Sequence, residues 1–404
     1  MTSTSLFKRL QPVTLFIFVL LLTAGHFKAN AGMSWVPGDL TLIAAVLVII
    51  LSVLSFAALG GRLRIEALWI VFFFSGMSVA LAYTDWTPYA IEKATRFFTL
   101  TFLAAIVPTL LIREVAQVKR FVVLIVSLGA FLASGVLIEV LGHQFTGSLD
   151  DRATGFTTLT LTLGNDAGLA MVAFFAYSLR GGRQRWLALL CVPLFFALLA
   201  SGSRGPIFCA VAVVALLTLR SSFVTRRNLV IVALLCVISM NVALRVVEDL
   251  PRGSIVRVVT LLEGQFDASA DARRTAGLTA LQAIQDQPLG KGFGGFAEVY
   301  TFGGVTDHIY PHNILLDIAV DNGLPVALLF FVIVVFSLWK TSRASAINPD
   351  LLPFFSIYLF SFSVSLFSGE LNLDRTLFAM ITIGLQSDTL ERLEPSPVLV
   401  SSRM

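Results

Sequence analysis

Long apolar runs separated by short polar turns fill almost the whole chain. A helix needs roughly 20 apolar residues to cross the hydrocarbon core of a bilayer, so each run is a candidate membrane span. The pattern predicts about twelve transmembrane helices, the last of them short, at residues 12–25, 40–59, 65–83, 89–112, 121–141, 156–179, 186–201, 206–219, 229–247, 315–339, 351–368 and 376–386. The expected fold class is therefore an all-α polytopic membrane protein.

The turns between these runs alternate in charge. Suppose that the N-terminus, with Lys8 and Arg9, is cytoplasmic. Every second turn and the C-terminal tail are then cytoplasmic as well, and together with the N-terminus they hold 17 of the 29 lysines and arginines. Basic residues near membrane spans concentrate on the cytoplasmic side, so we expect both termini inside the cell. The inverted topology, with the arginine-rich turns outside, is the less favoured alternative.

The composition agrees with a membrane protein. Hydrophobic residues make up 56% of the chain and charged residues 13%, whereas soluble domains contain about 25% charged residues. The net charge of +4 is small and dispersed, and it does not indicate nucleic-acid binding. The three cysteines lie in apolar runs without a CxxC pair, which favours small hydrophobic residues over metal ligands or disulfides.

One long polar segment, residues 248–311, interrupts the apolar pattern on the side predicted to be outside the cytoplasm. The chain then divides into helices 1–9 (residues 1–247), this loop with a short amphipathic helix and a glycine-rich turn (248–311), helices 10–12 (312–386) and a cytoplasmic tail (387–404). The loop carries several basic residues, against the usual charge bias. An anionic substrate handled at the outer membrane surface would explain them.

Two pieces near this outer face carry candidate binding groups. The turn Ser201-Gly202-Ser203-Arg204-Gly205 holds an arginine that either reaches into a cleft or only marks the membrane interface by snorkelling. In the loop, Arg273 and Arg274 lie at the start of a predicted helix. The spacing of its apolar residues Leu278, Leu281 and Ile284 suggests that this helix lies against the membrane. The glycine-rich turn at 289–296, which contains Lys291, either presents backbone N–H groups to phosphate or forms a flexible re-entrant loop.

The third piece is His312-Asn313, followed after nine residues by Gly323. We expect His312 at the N-terminal end of a helix that breaks at Gly323. The helix dipole would lower the pKa of the imidazole there and favour its proton-accepting form. A zinc site made by His308 and His312 is disfavoured, because Pro311 disrupts the helical face that they would share and no third ligand stands at a recognisable spacing.

In this order and topology the three pieces resemble the O-antigen ligase and polymerase family, in the region often called the Wzy C-terminal domain. The resemblance rests on the turn at 201–205, on an arginine upstream of the Pro-Leu-Gly-x-Gly-x-Gly run at 288–294, and on His312-Asn313-x9-Gly323. Arg152-Ala-Thr-Gly, followed by Asn165, resembles a further family element. The glycine run is one residue shorter than usual and the customary tryptophan is missing, so Arg273 and Arg274 both remain candidates for the family's arginine.

The resemblance implies an inverting, metal-independent glycosyl transfer at the periplasmic face of the bacterial inner membrane. The donor would be an undecaprenyl-pyrophosphate-linked glycan, and the acceptor either the lipid A core, for a ligase, or a growing glycan, for a polymerase. Neither a cofactor nor a metal is expected. The implied roles are general base for His312, leaving-group stabilisation for Arg204 and Arg273, and substrate binding for Arg274, Arg152, Asn313 and Lys291.

Ligase is favoured over O-antigen or exopolysaccharide polymerase because the single outward loop is modest in size. A lipid or polysaccharide transporter is a more distant alternative, since the chain shows no inverted repeat and its ionisable residues cluster at one face. The glycan, the acceptor hydroxyl and the oligomeric state are left open by the sequence.

Overall fold

The computed structural model describes residues 3–26, 39–58, 64–141, 156, 159–220, 268–301 and 309–392. Within these ranges the regular structure is helical, and no strand occurs in them. The helices, numbered in chain order, are α1 (Ser3–Thr23), α2 (Leu40–Ala58), α3 (Ala67–Ser78), α4 (Pro88–Arg96), α5 (Phe102–Leu111), α6 (Val115–Leu141), α7 (Thr160–Leu179), α8 (Cys191–Ala200), α9 (Arg204–Arg220), α10 (Ala268–Asp286), α11 (Phe296–Val299), α12 (Ile314–Asn322), α13 (Leu324–Ile347), α14 (Leu352–Ser368) and α15 (Arg375–Arg392).

Short non-α turns extend or join several of these helices. A π-helical turn at Phe97–Thr101 makes α4 and α5 one continuous rod, and 3₁₀ segments occur at Ala24–His26, Val79–Ala82, Gly182–Leu190 and Pro349–Leu351. The start of α4 shows how sequence sets a boundary. The Thr87 Oγ1 accepts a hydrogen bond from the Ala90 amide at 3.1 Å, and Pro88 occupies the first turn, where no N–H is needed.

The all-α membrane class is confirmed, whereas the count of twelve spans remains a prediction. Eleven of the apolar runs coincide with helices, and the run at 229–247 lies outside the described residues. In the described part of the chain, six helical segments are long and apolar enough to cross a membrane, and two further apolar helices are shorter. The six are Leu40–Ala57, Pro88–Leu111, Val115–Val136, Gly182–Ala200, Leu324–Ile347 and Pro349–Ser368.

Aromatic packing in the interior joins helices that are distant in sequence. Five phenylalanines of α3, the π turn, α13 and α15 pack with ring centroids 4.7 to 6.4 Å apart: Phe73, Phe74, Phe97, Phe330 and Phe378. The outside is apolar as well, since Leu42 on α2 is 64% exposed and Phe72 on α3 is 70% exposed. Such surfaces would be unfavourable in water and are solvated by lipid tails in a bilayer.

Glycines allow two close helix approaches. A Cβ on Gly168 of α7 would lie 2.4 Å from the ring of Phe360 on α14, and one on Gly384 of α15 would lie 2.3 Å from the Ser337 Oγ of α13. Small residues at such crossings let helix backbones come together, as is common between membrane helices. These contacts fix α14 and α15, whose connecting loop forms part of the site described below.

Basic residues from the turns predicted to be cytoplasmic meet at one end of the bundle. Lys119 and Arg180 both pair with Asp350, the former at 2.5 Å between Nζ and Oδ2, and the Lys340 Nζ lies 3.5 Å from the Asp388 Oδ2. The candidate site residues lie at the opposite end of the helices. The structure thus separates the two groups as the charge pattern does, and which membrane face each occupies remains a prediction.

Helix α10 forms where the amphipathic helix was predicted, but of the predicted apolar residues Ile284 packs against the protein and the two leucines do not. Ala276, Ala280 and Ala283 are buried in a small cluster with Phe296, Ile309 and Val320. The predicted leucines point away from this cluster, with Leu278 59% and Leu281 49% exposed. The alanines therefore attach α10 to the protein, and contact of the leucines with the membrane remains a prediction.

Candidate active site

The His312-Asn313 element begins α12 with a strained backbone. Asn313 is the N-cap, and its Oδ1 accepts hydrogen bonds from the amides of Leu315 at 2.9 Å and Leu316 at 3.1 Å. Its Nδ2 donates to the Leu366 carbonyl on α14 at 2.9 Å. Among the described residues other than glycine, His312 alone has a positive φ, 59°. Backbone strain of this kind persists where the surroundings enforce it and is frequent at functional sites.

The surroundings of His312 keep its imidazole neutral. Burial first, and then the positive charge of Arg273, lower the pKa of His312 to about 4, while Asp317 opposes the shift. The ring of Tyr310 packs against the imidazole with centroids 4.4 Å apart. The pKa direction agrees with the expectation from sequence, but its leading cause is burial rather than the helix dipole. A neutral imidazole can accept a proton.

The two neighbouring arginines of α10 occupy different environments. Arg273 is half-buried, and its Nη1 donates to the Ser368 Oγ at the end of α14, 3.3 Å away. Arg274 is exposed. The sequence left both as candidates, and the helix phase distinguishes them: only Arg273 faces the side of the protein that holds His312.

The turn before α9 approaches the same end of α14. The Ser203 Oγ donates to the Thr160 carbonyl of α7 at 3.1 Å, which anchors the turn ahead of the half-buried Arg204. A Cβ on Gly205 would lie 3.4 Å from the Phe367 Cβ and 3.8 Å from the Ser368 Oγ. Ser368 therefore lies beside the turn that carries Arg204 and is also hydrogen-bonded to Arg273.

The glycine-rich turn does not offer a phosphate cradle. The amides of Lys291 and Gly292 donate to the carbonyls of Val320 and Asp321, at 2.7 and 2.8 Å. The next two amides, of Phe293 and Gly294, donate to the Thr84 Oγ1 at 3.0 Å and to the Asp321 Oδ2 at 3.1 Å. These four N–H groups thus donate to acceptors within the protein. The prediction that the turn presents them to phosphate is therefore wrong for these four amides. The turn instead locks the loop onto α12.

The Lys291 side chain points away from this packing. Its Nζ donates to the Gln287 Oε1 at 2.9 Å in an exposed position. A Cβ on Gly292 would lie 2.5 Å from the Thr84 Cα at a φ of 90°, so only glycine fits there. Substrate binding by Lys291 remains a prediction, while the glycines of the run have a packing role.

A fully buried ion triad lies behind the His312 helix, and the sequence reading missed it. The Lys93 Nζ on α4 is 2.7 Å from the Asp317 Oδ1 and 2.7 Å from the Asp321 Oδ2 on α12, and all three side chains are 0% exposed. The signal was present, since Lys93, Asp317 and Asp321 interrupt apolar runs and the two aspartates are four residues apart. Charges within apolar runs call for partners.

The loop between α14 and α15 completes the site and was also missed. Its Leu371 amide donates to the Asp317 Oδ2 at 2.9 Å, so the triad holds this loop as well. Burial raises the pKa of Glu370 to about 8, and burial raises the pKa of Asp374 to about 7. Near neutral pH, Glu370 is therefore largely uncharged and Asp374 is about half protonated, unlike ordinary surface carboxylates.

Not every predicted site residue can be placed. Arg152 lies outside the described residues, as do His308 and the parts of the 248–311 loop at 248–267 and 302–308. The structure brings Arg273, His312, Asn313 and the Arg204 turn to the end of α14. It leaves Arg274 and Lys291 toward the surface.

The part of the chain that holds most of these site residues matches a known protein family. Residues 189–331 match the family model described as O-antigen ligase. This region, about a third of the chain, is similar to the O-antigen ligase family. The match covers Arg204, both candidate arginines of α10, and the His312-Asn313-x9-Gly323 element, and the resemblance seen in the sequence is confirmed at the family level. No curated protein matches the chain.

Proposed function

We propose that this protein is a member of the O-antigen ligase family and that it transfers a glycan from an undecaprenyl-pyrophosphate carrier to an acceptor sugar at the periplasmic face of the inner membrane. Family members are membrane glycosyltransferase-like ligases or polymerases, which supports the general class. The single observation that carries the proposal is the convergence at the end of α14, where Arg273 binds Ser368, the Arg204 turn adjoins Ser368, and neutral His312 is within range of the Arg273 charge.

The chemistry follows from these groups. An acceptor hydroxyl attacks the anomeric carbon while the bond from that carbon to the pyrophosphate oxygen breaks, so the configuration inverts. The electron pair of the broken bond moves to the pyrophosphate, and the guanidinium groups of Arg204 and Arg273 stabilise the growing negative charge. The His312 imidazole takes the hydroxyl proton as general base. The pyrophosphate is already a good leaving group, so no step in this sequence calls for ATP.

The ligase activity is the form that we favour. The final acceptor would then be the lipid A core, and the polymerase, in which a growing glycan accepts the donor, is the alternative. Both share the donor chemistry and the same arginines and histidine. The modest size of the outward loop, residues 248–311, favours the ligase over the polymerase.

Deletion of the gene, followed by gel analysis of surface polysaccharide, tests the proposal. A ligase predicts that the lipid A core carries no polymer while polymer accumulates on the undecaprenyl carrier. A polymerase predicts a single repeat unit on the core. Unchanged polysaccharide on the core and on the carrier would contradict both. Complementation with the wild-type gene and with Glu298→Gln, an exposed position on α11, controls for expression.

A further inference from the structure

A cavity of about 350 Å³, lined by both apolar and polar side chains, adjoins the arginine–histidine site. It lies between the end of α1, the start of α7, the end of α14 and the loop from α14 to α15. Two of its wall residues also touch the proposed catalytic groups. Tyr310 packs on His312 with ring centroids 4.4 Å apart, and Ser368 accepts a hydrogen bond from the Arg273 Nη1 at 3.3 Å. A molecule in the cavity would therefore meet the reaction centre from one side.

The cavity wall carries buried polar groups that the protein leaves open. Arg375 is 8% exposed, and its Nε has no hydrogen-bond partner within the described ranges. Glu370, which is 5% exposed, lines the same wall. Leaving a buried polar group unpaired costs roughly 1–3 kcal/mol, so such groups are typically retained for a partner. The arrangement indicates a ligand that supplies hydrogen-bond donors and acceptors.

The opposite wall also carries polar groups among its apolar side chains. The His26 Nδ1 lies 2.9 Å from the Asp166 Oδ2, and both residues line the cavity. The neighbouring Asn165 has a buried Oδ1 without a hydrogen-bond partner in the part of the chain that the structure describes. Residues of α7 and of the 3₁₀ segment after α1 thus face the loop from α14 to α15 across the cavity, with hydrogen-bonding groups on both sides.

The charges of the walls select the kind of ligand. The carboxyl groups of Glu370, Asp374 and Asp166 outnumber the one arginine, Arg375, that lines the cavity. A pyrophosphate needs several cationic donors, and the single arginine of this cavity offers fewer than the side with Arg204 and Arg273. A sugar ring with hydroxyl groups can donate to carboxylates and accept from a guanidinium without bringing charge. The volume also lies in the range of ligand pockets, roughly 300–1,000 Å³.

We propose that this cavity is the acceptor subsite, and that it binds an uncharged sugar unit through Glu370 and Arg375 on one wall and the His26–Asp166 pair on the other. The inference rests on the proposed glycosyl transfer and adds the place of the second substrate. The acceptor hydroxyl reaches the reaction centre past Tyr310, while the donor pyrophosphate lies on the arginine side. Glu370 and Arg375 are binding residues in this arrangement, and proton transfer stays with His312.

Steady-state kinetics with each substrate varied in turn tests the subsite. The donor is the undecaprenyl-pyrophosphate-linked glycan extracted from the deletion strain, and the acceptor is lipopolysaccharide with core sugars but no polymer from the same strain. In the purified full-length protein, Glu370→Gln and Arg375→Lys should raise the KM for the acceptor about tenfold or more. The KM for the donor should change less than twofold. Inhibition by free undecaprenyl pyrophosphate, which reports donor-side binding, should be unchanged.

Two further variants control for folding and for the chemistry of the substitution. Glu298→Gln makes the same change at an exposed position of α11 and should leave both KM values at wild-type levels. Thr162 lies half-buried on the α7 wall, so Thr162→Trp fills the cavity without replacing a titratable group, and it should raise the acceptor KM alone. It keeps the test decisive if Glu370→Gln does not fold.

The possible outcomes distinguish a failure of the acceptor subsite from a failure of the proposed glycosyl transfer on which it rests. Wild-type transfer together with an unchanged acceptor KM in both Glu370→Gln and Thr162→Trp would overturn the acceptor subsite alone. A raised donor KM with an unchanged acceptor KM would assign the cavity to the donor glycan and also overturn it. A wild-type protein that transfers nothing, while remaining folded and binding free undecaprenyl pyrophosphate, would overturn the proposed reaction itself.

Discussion

The buried triad of Lys93, Asp317 and Asp321 gives the sharpest stability prediction. Replacing Lys93 with Met removes the only cation within hydrogen-bonding distance of the two carboxylates in the described structure and leaves both in a site that is 0% exposed. Removing one partner of a buried pair costs roughly 3–5 kcal/mol. Each 1.4 kcal/mol is about tenfold, so the folding equilibrium should fall by roughly 10²–10⁴. The cost arises from the stranded carboxylates, not from a lost surface contact.

The loss of Lys93 should also disturb the candidate active site, because the two aspartates accept hydrogen bonds from backbone amides of the loops beside it. Asp317 accepts from the Leu371 amide at 2.9 Å and Asp321 from the Gly294 amide at 3.1 Å. Adding Asp317→Asn and Asp321→Asn to Lys93→Met removes the stranded charges and keeps carbonyl oxygens that can accept these bonds. The triple variant should therefore recover more than half of the stability lost in Lys93→Met.

Thermal unfolding in detergent, followed by fluorescence-detected gel filtration, measures this. The midpoint for Lys93→Met should drop by at least roughly 5 °C, since 1 kcal/mol moves the midpoint of a larger domain by about 2–4 °C. Lys119→Met is the matched control, because Lys119 pairs with Asp350 but is 42% exposed. Exposed pairs contribute about 0–1 kcal/mol, so its midpoint should hardly move. A midpoint for Lys93→Met equal to that of the control, or a triple variant no better than the single one, would refute the reasoning.

Three further predictions follow from the site and the topology. His312→Gln should lower kcat by roughly 10²–10⁴, and wild-type kcat should fall as pH drops through about 4, where the imidazole takes up a proton; near-normal turnover of the variant would remove the base role. Gly292→Ala, which forces a Cβ to 2.5 Å from the Thr84 Cα, should lower the unfolding midpoint, whereas Gly277→Ala, with nothing within 4 Å, should not; equal midpoints would contradict the packing role of the turn. In a background without native cysteines, an impermeant thiol reagent should label Glu298→Cys but not Arg183→Cys in intact cells, and the reverse pattern would invert the topology.

Helix positions could be predicted from the sequence because the bilayer requires long apolar runs, and each run outside 229–247 has a helix at its place. The His312-Asn313 element could be located for a similar local reason, since an asparagine cap and Gly323 mark the two ends of α12. The choice between Arg273 and Arg274 could not be made. It depends on which face of α10 packs inward, and that is set by three small alanines rather than by the larger leucines.

Contacts between distant segments could not be predicted from a single sequence. Nothing local brings Lys93 to Asp317, or Glu370 and Arg375 to the cavity beside Tyr310, because these pairings depend on how α4, α12, α14 and α15 pack. The glycine-rich turn shows the converse problem. Its composition fits both phosphate binding and close packing, and only the partners of its amides, such as the Asp321 carbonyl at 2.8 Å from the Gly292 amide, decide for packing.

The central claim is that Arg273, with Arg204, stabilises a pyrophosphate leaving group during glycan transfer. The most direct measurement is transfer by purified protein from undecaprenyl-pyrophosphate-linked glycan to lipopolysaccharide core, comparing Arg273→Ala with its exposed neighbour Arg274→Ala. Loss of one oxyanion-stabilising donor costs roughly 10²–10³ in kcat, and we expect at least this loss for Arg273→Ala. Arg274→Ala should stay within a few-fold of wild type. Equal activity of the two variants, or full activity of Arg273→Ala, would contradict the account.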